Sequence, residues 1–288
     1  MINGAVRHSI DSANQTAMCW SSPARIAAGQ KWHAQAEAMG KSVTAALMQI
    51  AQVEPGMNVL DLASGEGDPV LTLAALVGEH GTVTATDVNP GPLAAAAVHA
   101  RQSGISNIQF HVADAQQLPF EDAAFDRVTC RFGVMFFPDP LAAMRETHRV
   151  LRPRGRVALV AWGSIEQPCF QVFLAPLLRC AGGPVLSLEG PNPFKFAEPG
   201  SLSVFLREAG FRELKEETRT VERVWKGSPE EAWEYFRDHA AAFGPLIERV
   251  PADKWDEVTH DIVAAISGFR AGSAYNLGAQ INLVMALK

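Results

Sequence analysis

The stretch Asn58–Ala75, NVLDLASGEGDPVLTLAA, decides how this chain reads. An apolar run from Asn58 to Leu62 meets a turn of small residues and then resumes with helical spacing, the layout of a strand, a ligand-binding turn and a helix. A dinucleotide turn, G-x-G-x-x-G, needs a third glycine where helix and strand touch, and counting from Gly65 and Gly67 that place holds Val70. Counting from Ala63 fails as well. Pyrophosphate also wants bare N–H donors at the start of the helix. Here Asp68 is expected to cap that end, with Pro69 as the first helical residue and Glu66 two positions earlier, so anionic phosphates should be repelled.

Outward from this turn, short apolar runs alternate with helical patterns. Strands are expected at Asn58–Leu62, Thr82–Asp87, Ile108–Ala113, Arg127–Arg131 and Arg156–Trp162, with helices near 69–79, 91–103 and 140–150 and a shorter connection at 115–123. Such alternation predicts an α/β fold, a doubly wound, mostly parallel sheet whose ligand site lies at the carboxyl ends of the strands. Ahead of it, residues 23–52 fit one or two helices, broken near Gly40. Behind it come a Pro/Gly-rich link at 182–200, a helix at 201–209, a strand over 211–225, helices at 228–243 and 252–268, and a last strand in INLVMALK. Ser228, Pro229 and Glu231 form the cap signature of the first of those two helices. The whole is read as one domain: a helical cover (1–54), a cofactor-binding core (55–165), a linker, strand and lid helices (166–276), and the final strand (277–288).

A net charge of −6 carries no electrostatic footprint for nucleic acid, and no uncharged apolar run is long enough to span a bilayer. Cys19, Cys130, Cys169 and Cys180 are scattered without a C-x-x-C pair, so reduced thiols and no metal site are expected. The opening MINGAVRHSIDSANQ has neither a basic nor an apolar leader segment, and a cytoplasmic location is expected.

The acidic turn suits a cationic cofactor without phosphate. S-adenosylmethionine fits, because its ammonium and sulfonium gain from nearby carboxylates, and Ala63, Ser64 and Gly65 let the backbone approach closely. Asp61 ends the first strand and joins this set. Asp87, ending the second strand with Val88 after it, can accept both ribose hydroxyls; Asp114, after the third, can accept from the adenine amine while the Ala115 amide meets the ring.

These motifs carry a resemblance. VLDLASGEGDP, TATDVNPGPLAAA, VADAQQLPFEDAAFDRV and RFGVMFFPDPLAAMRETHRVLRPRGRVALVAW together resemble class I S-adenosylmethionine-dependent methyltransferases, in particular the UbiE-like, type 11 group, over residues 57–162. The resemblance implies a Rossmann-like seven-stranded sheet, the cofactor contacts just named, and a small-molecule methyl acceptor. Two positions depart from the family pattern. Ala63 replaces the first glycine, which is tolerable if its φ stays negative. Phe132-Gly133 is followed by Val134, Met135 and Phe136 where quinone C-methylating members generally carry Arg-Asn, which argues against a quinone acceptor.

Methyl transfer from a sulfonium needs positioning and exclusion of water more than a base. Arg131, ending the fourth strand beside the expected methyl group and counted with the cofactor contacts, could orient an anionic acceptor or stabilise developing negative charge, or else form an ion pair with Glu66 or Asp68. Tyr275 could face the acceptor. Of the histidines, His148 and His111 read as structural, and His33, His239 and His260 fall on the outer helices. Phe132, Met135, Phe136, Phe137, Trp162 and Phe170 could wall a pocket for an aromatic or lipophilic acceptor. Two alternatives stand beside this reading: a nicotinamide-dependent oxidoreductase, and an S-adenosylmethionine-binding protein that does not transfer methyl groups.

Overall fold

A computed structural model describes residues 22–188 and 190–288. Cys19, the opening MINGAVRHSIDSANQ and the rest of the expected cover before Ser22 lie outside the described residues. Two compact units make up the chain, each assembled from separated segments. One holds residues 43–162, 194–219 and 281–288, and the other holds the described parts of 1–42, 163–193 and 220–280.

Helix α1, Pro23–Ala51, runs through Gly40 without a break. Buried Met39, Val43, Ala46, Leu47 and Ala51 recur every three or four residues, and this continuous buried stripe outweighs the roughly 1 kcal/mol that a mid-helix glycine costs.

The first unit is the sheet. Its elements follow as β1 (Asn58–Leu62), α2 (Val70–Val77), β2 (Thr82–Asp87), α3 (Pro90–Gln102), β3 (Ile108–Val112), β4 (Phe125–Arg131), α4 (Pro140–Val150) and β5 (Leu151–Trp162). After α5 (Pro168–Ala181) in the other unit come α6 (Ser201–Glu208) and β6 (Arg212–Val221), and β10 (Ala279–Leu287) brings the chain back. The seven strands lie in the order β3-β2-β1-β4-β5-β10-β6. β1 pairs parallel with both β2 and β4, β4 is parallel to β5, and β10 runs antiparallel to β5. This is the expected doubly wound sheet. Successive side chains of β1 serve opposite faces: Val59 joins Val70, Leu73, Val77 and Val83 on the α2 side, and Leu60 and Leu62 join Met144, Leu202 and Leu206 beneath α4 and α6.

In the other unit, α5 occupies a stretch for which no element is named from the sequence; Pro168, the internal Pro176 and Gly182 are local signals against a helix. Pro168 instead occupies the first turn, where its missing N–H costs nothing, and the buried face Phe170, Phe173, Leu174 and Leu177 holds the helix together through Pro176. The expected strand over 211–225 is split: β6 ends at Val221, and β7 (Val224–Trp225) pairs instead in a small sheet with β9 (Ala274–Asn276), itself paired with β8 (Arg270–Ala271). The predicted outer helices are present as α7 (Pro229–His239), the short α8 (Gly244–Glu248) and α9 (Trp255–Ser267). Ser228 and Glu231 close the predicted capping box on α7. Aromatic rings dominate this core, with Phe173 stacked on Phe236 at 4.2 Å.

Candidate cofactor site

Strand order reverses between β1 and β4, the place where an open α/β sheet leaves a crevice at its carboxyl edge. The chain leaves β1 through Ala63-Ser64-Gly65 and leaves β4 through Phe132-Gly133. These two turns meet closely: a Cβ added at Gly133 would fall on the Ala63 methyl. Ala63 has φ +53°, so the expectation of a negative angle is overturned. The turn must reverse the chain directly after a buried strand, and a positive φ achieves this; alanine accepts it at a cost of about 1–2 kcal/mol. Gly65 at φ +54° has nothing within 4 Å of where a side chain would sit, leaving open space over the turn.

Asp61 is fully buried and accepts a 2.5 Å hydrogen bond from Thr129 Oγ1, its partner in register across β1 and β4. Its second carboxyl oxygen has no hydrogen-bond partner among the described residues, and burial pushes its pKa up to about 7. Its carbonyl accepts from Ser64 Oγ at 3.0 Å and from Thr86 Oγ1 at 2.9 Å. Ser64 also donates its N–H to the Thr86 carbonyl, so this residue shapes the turn through both of its donors.

Asp87 is brought against the turn. One oxygen accepts from the Gly65 N–H at 2.9 Å and the other from the Asn89 N–H at 2.9 Å, while burial raises its pKa against the pull of those amides. Val88, next in sequence, leaves its apolar side chain 56% exposed. Beyond β3, Asp114 is exposed and Ala115 buried. Gln116 grips Asp114, donating from its backbone at 2.8 Å and from its amide to both carboxylate oxygens, while its Oε1 accepts from the Asp139 N–H at 2.7 Å. The carboxyl edge thus gathers Asp61, Ala63, Ser64, Gly65, Asp87, Val88, Asp114 and Ala115 in one unit.

Asp68 does not cap α2. The helix begins at Val70 behind Pro69, with no side-chain cap. The carboxylate is drawn instead to Arg131, whose Nη1 lies 2.5 Å away, and accepts from Thr44 Oγ1 at 2.9 Å. A full opposite charge in a half-buried place outweighs a neutral amide. Arg131 Nη1 also donates to Thr44 Oγ1 at 3.1 Å, closing a triangle between α1, the turn and β4. Sequence reasoning named the Arg131 ion pair as one of two roles, and it missed Thr44. The alternating burial of α1 could have pointed to Thr44 as a polar residue on an apolar face.

At the ends of β4 and β5, Phe132 stacks on Trp162 at 3.9 Å, above the buried Met135 and Phe137. Phe170 and Tyr275 belong to the other unit, where Phe170 lies 6.3 Å from Phe243 and Tyr275 sits in β9 opposite Trp225. His148 packs edge-on against Phe211 at 5.0 Å, the structural role expected of it.

Residues 39–176 match the model of the ubiE/COQ5 methyltransferase family. A ubiquinone/menaquinone biosynthesis C-methyltransferase, UbiE, from Shewanella frigidimarina (strain NCIMB 400) is 37% identical over 118 residues, 41% of this chain and 47% of its own length. Over this segment, a little under half of the chain, the protein is similar to the UbiE-like class I S-adenosylmethionine-dependent methyltransferases. Among solved structures, the YcgJ protein of Bacillus subtilis shares the fold at TM-score 0.56 and 20% identity, over 85% of this chain and 97% of its own. A candidate methyltransferase from Bacillus halodurans C-125 matches at TM-score 0.54 and 26% identity, over 85% and 98%. The chain spans about half the length of the curated UbiE relatives it matches, 47% in the case above.

No helix among the described residues is long and apolar enough to cross a membrane.

Proposed function

We propose that this protein binds S-adenosylmethionine at the β1/β4 crevice and transfers its methyl group to a small or medium, aromatic or lipophilic acceptor. One observation carries the reading. The Gly65 amide, which a phosphate-binding turn would offer to its ligand, is given to Asp87, so the crevice presents carboxylates where a dinucleotide would need donors. That geometry counts against the nicotinamide alternative. It favours a cofactor whose ribose hydroxyls donate and which carries a sulfonium and an ammonium in place of phosphates.

In this assignment Asp87 accepts from the ribose while staying fixed by Gly65 and Asn89, and Val88 offers its exposed apolar face to the adenine. Asp114, held by Gln116, accepts from the adenine amine beside Ala115. Ala63, Ser64 and Gly65 take the methionine end, where the open space over Gly65 and the partnerless buried oxygen of Asp61 suit an ammonium-bearing group. When bound, S-adenosylmethionine supplies a methyl group on a sulfonium, and the C–S bonding pair stays on sulfur as the acceptor bond forms. The Phe132–Trp162 stack excludes water and offers an apolar wall. Val134, Met135 and Phe136 support an acceptor other than the quinones in the relatives' names. Arg131, with its charge held by Asp68, is better suited to a neutralised place beside the cofactor than to gripping an anionic acceptor. Tyr275 is retained as the acceptor-side candidate, and the single-domain arrangement of cover, core and lid is retained with it.

Calorimetric titration of the full chain should give S-adenosylmethionine binding and no NAD binding, with affinity falling at least about tenfold in Asp87→Ala, the scale of a lost charge-assisted hydrogen-bond pair. Unchanged affinity in that variant would remove Asp87 from the site. Release of S-adenosylhomocysteine with a panel of phenolic and lipophilic acceptors tests the chemistry. A Tyr275→Phe variant that keeps full turnover there would exclude its hydroxyl.

A further inference from the structure

We propose that the Asp68–Arg131 pair, braced by Thr44, keeps this site from favouring the demethylated product over the charged cofactor. The inference rests on the cofactor reading above. Asp61 stands opposite Thr129 in the β1/β4 register, and two residues further on the chain reaches Arg131 at the end of β4 and Ala63 in the turn assigned to the methionine end. An uncompensated guanidinium beside that turn would oppose a sulfonium. Asp68 removes the conflict, with its carboxylate 2.5 Å from Arg131 Nη1.

The pairing is built into the fold. Thr44 is only 5% exposed, and its one hydroxyl donates to Asp68 and accepts from Arg131, so the three groups hold each other in register. Arg131 is 17% and Asp68 25% exposed at the side chain, which leaves little water to screen either charge. Both charges reach the floor of the site, where Arg131 favours the ionised Asp61 and Asp68 opposes it.

Methyl transfer changes the cofactor by one unit of charge, from a sulfonium to a neutral thioether, and leaves the rest of the molecule alone. A fixed charge near that sulfur therefore acts on the substrate form and barely on the product form. With Asp68 in place the local charge of the pair is zero, and the product gains no advantage. Asp68 and Arg131 are thus specificity-determining residues that limit product inhibition, and Thr44 positions them.

The test is the ratio of the two affinities, measured by calorimetry with S-adenosylmethionine and S-adenosylhomocysteine separately on the full chain. Asp68→Asn keeps the shape and the Thr44 contact but strands the Arg131 charge. It should weaken S-adenosylmethionine about tenfold and S-adenosylhomocysteine less than about twofold, the scale of one unit charge in a partly buried site. Arg131→Met should move the ratio the other way, and the double variant should return it to the starting value. Equal losses for both ligands, or an unmoved ratio in the two single variants, would overturn the proposal. If the unaltered protein binds neither ligand, it is the cofactor reading that fails.

Discussion

Ala63 and Gly133 answer each other across the β1/β4 crevice. Ala63 sits at φ +53°, and its methyl occupies the space a Gly133 side chain would need. Gly133 itself has φ −76°, an angle open to any residue, so contact alone requires glycine there. Gly133→Ala should therefore destabilise the protein by about 1–3 kcal/mol through overpacking. Ala63→Gly should be neutral or stabilising by about 0.5–1 kcal/mol, since it relieves the left-handed angle. In the double variant the two changes should couple by on the order of 1–2 kcal/mol, because glycine at 63 makes room for the methyl at 133. Urea midpoints of the four proteins check this, and simple additivity would deny the contact. The sequence showed that position 63 was unusual. It could not show that position 133 compensates, because the two are brought together only by the register of β1 on β4.

Among the elements, strands β1 and β2 and helix α4 were legible to the residue, because short runs bounded by Gly, Pro and Asp leave little freedom in placing them. Helix α7 was equally readable from its cap. Ser228 Oγ accepts from the Glu231 N–H and the Glu231 carboxylate accepts from the Ser228 N–H, so both ends of the signature are used. Ser228→Ala should cost about 1 kcal/mol and speed hydrogen exchange in the first turn of α7; unchanged exchange there would mean the cap contributes nothing. Helix α5 was hidden for the opposite reason. Its prolines are local signals against a helix, and only the burial of Phe170, Phe173, Leu174 and Leu177 overrides them. The break at Glu222-Arg223 was hidden too, since alternation in sequence does not reveal that β6 and β7 pair with different partners.

For the molecule as a whole, buried acids set how stability answers pH. Asp61 has its pKa raised from the ordinary carboxylate value to about 7, so between those limits the folded protein holds a proton that the unfolded chain releases. Its contribution is fully present at low pH and is lost as pH rises through about 7, at up to about 1.4 kcal/mol per pH unit. Asp87, also raised by burial, acts in the same sense, while His239, lowered by burial to about 4, acts in the opposite one. Urea unfolding from pH 4.5 to 7.5 should therefore show a steeper fall in wild type than in Asp61→Asn; parallel curves would place the proton elsewhere. By itself the sequence determined the doubly wound order of strands and helices and the row of acids at the strand ends, because periodicity, turn residues and strand-end positions are local properties. Only the tertiary structure decided what those acids touch. Asp68 left the helix it was expected to cap for Arg131 and Thr44, and Asp87 took the amide of Gly65, because a buried carboxylate goes to the strongest donor that folding brings within reach, and that donor lies on another strand or helix.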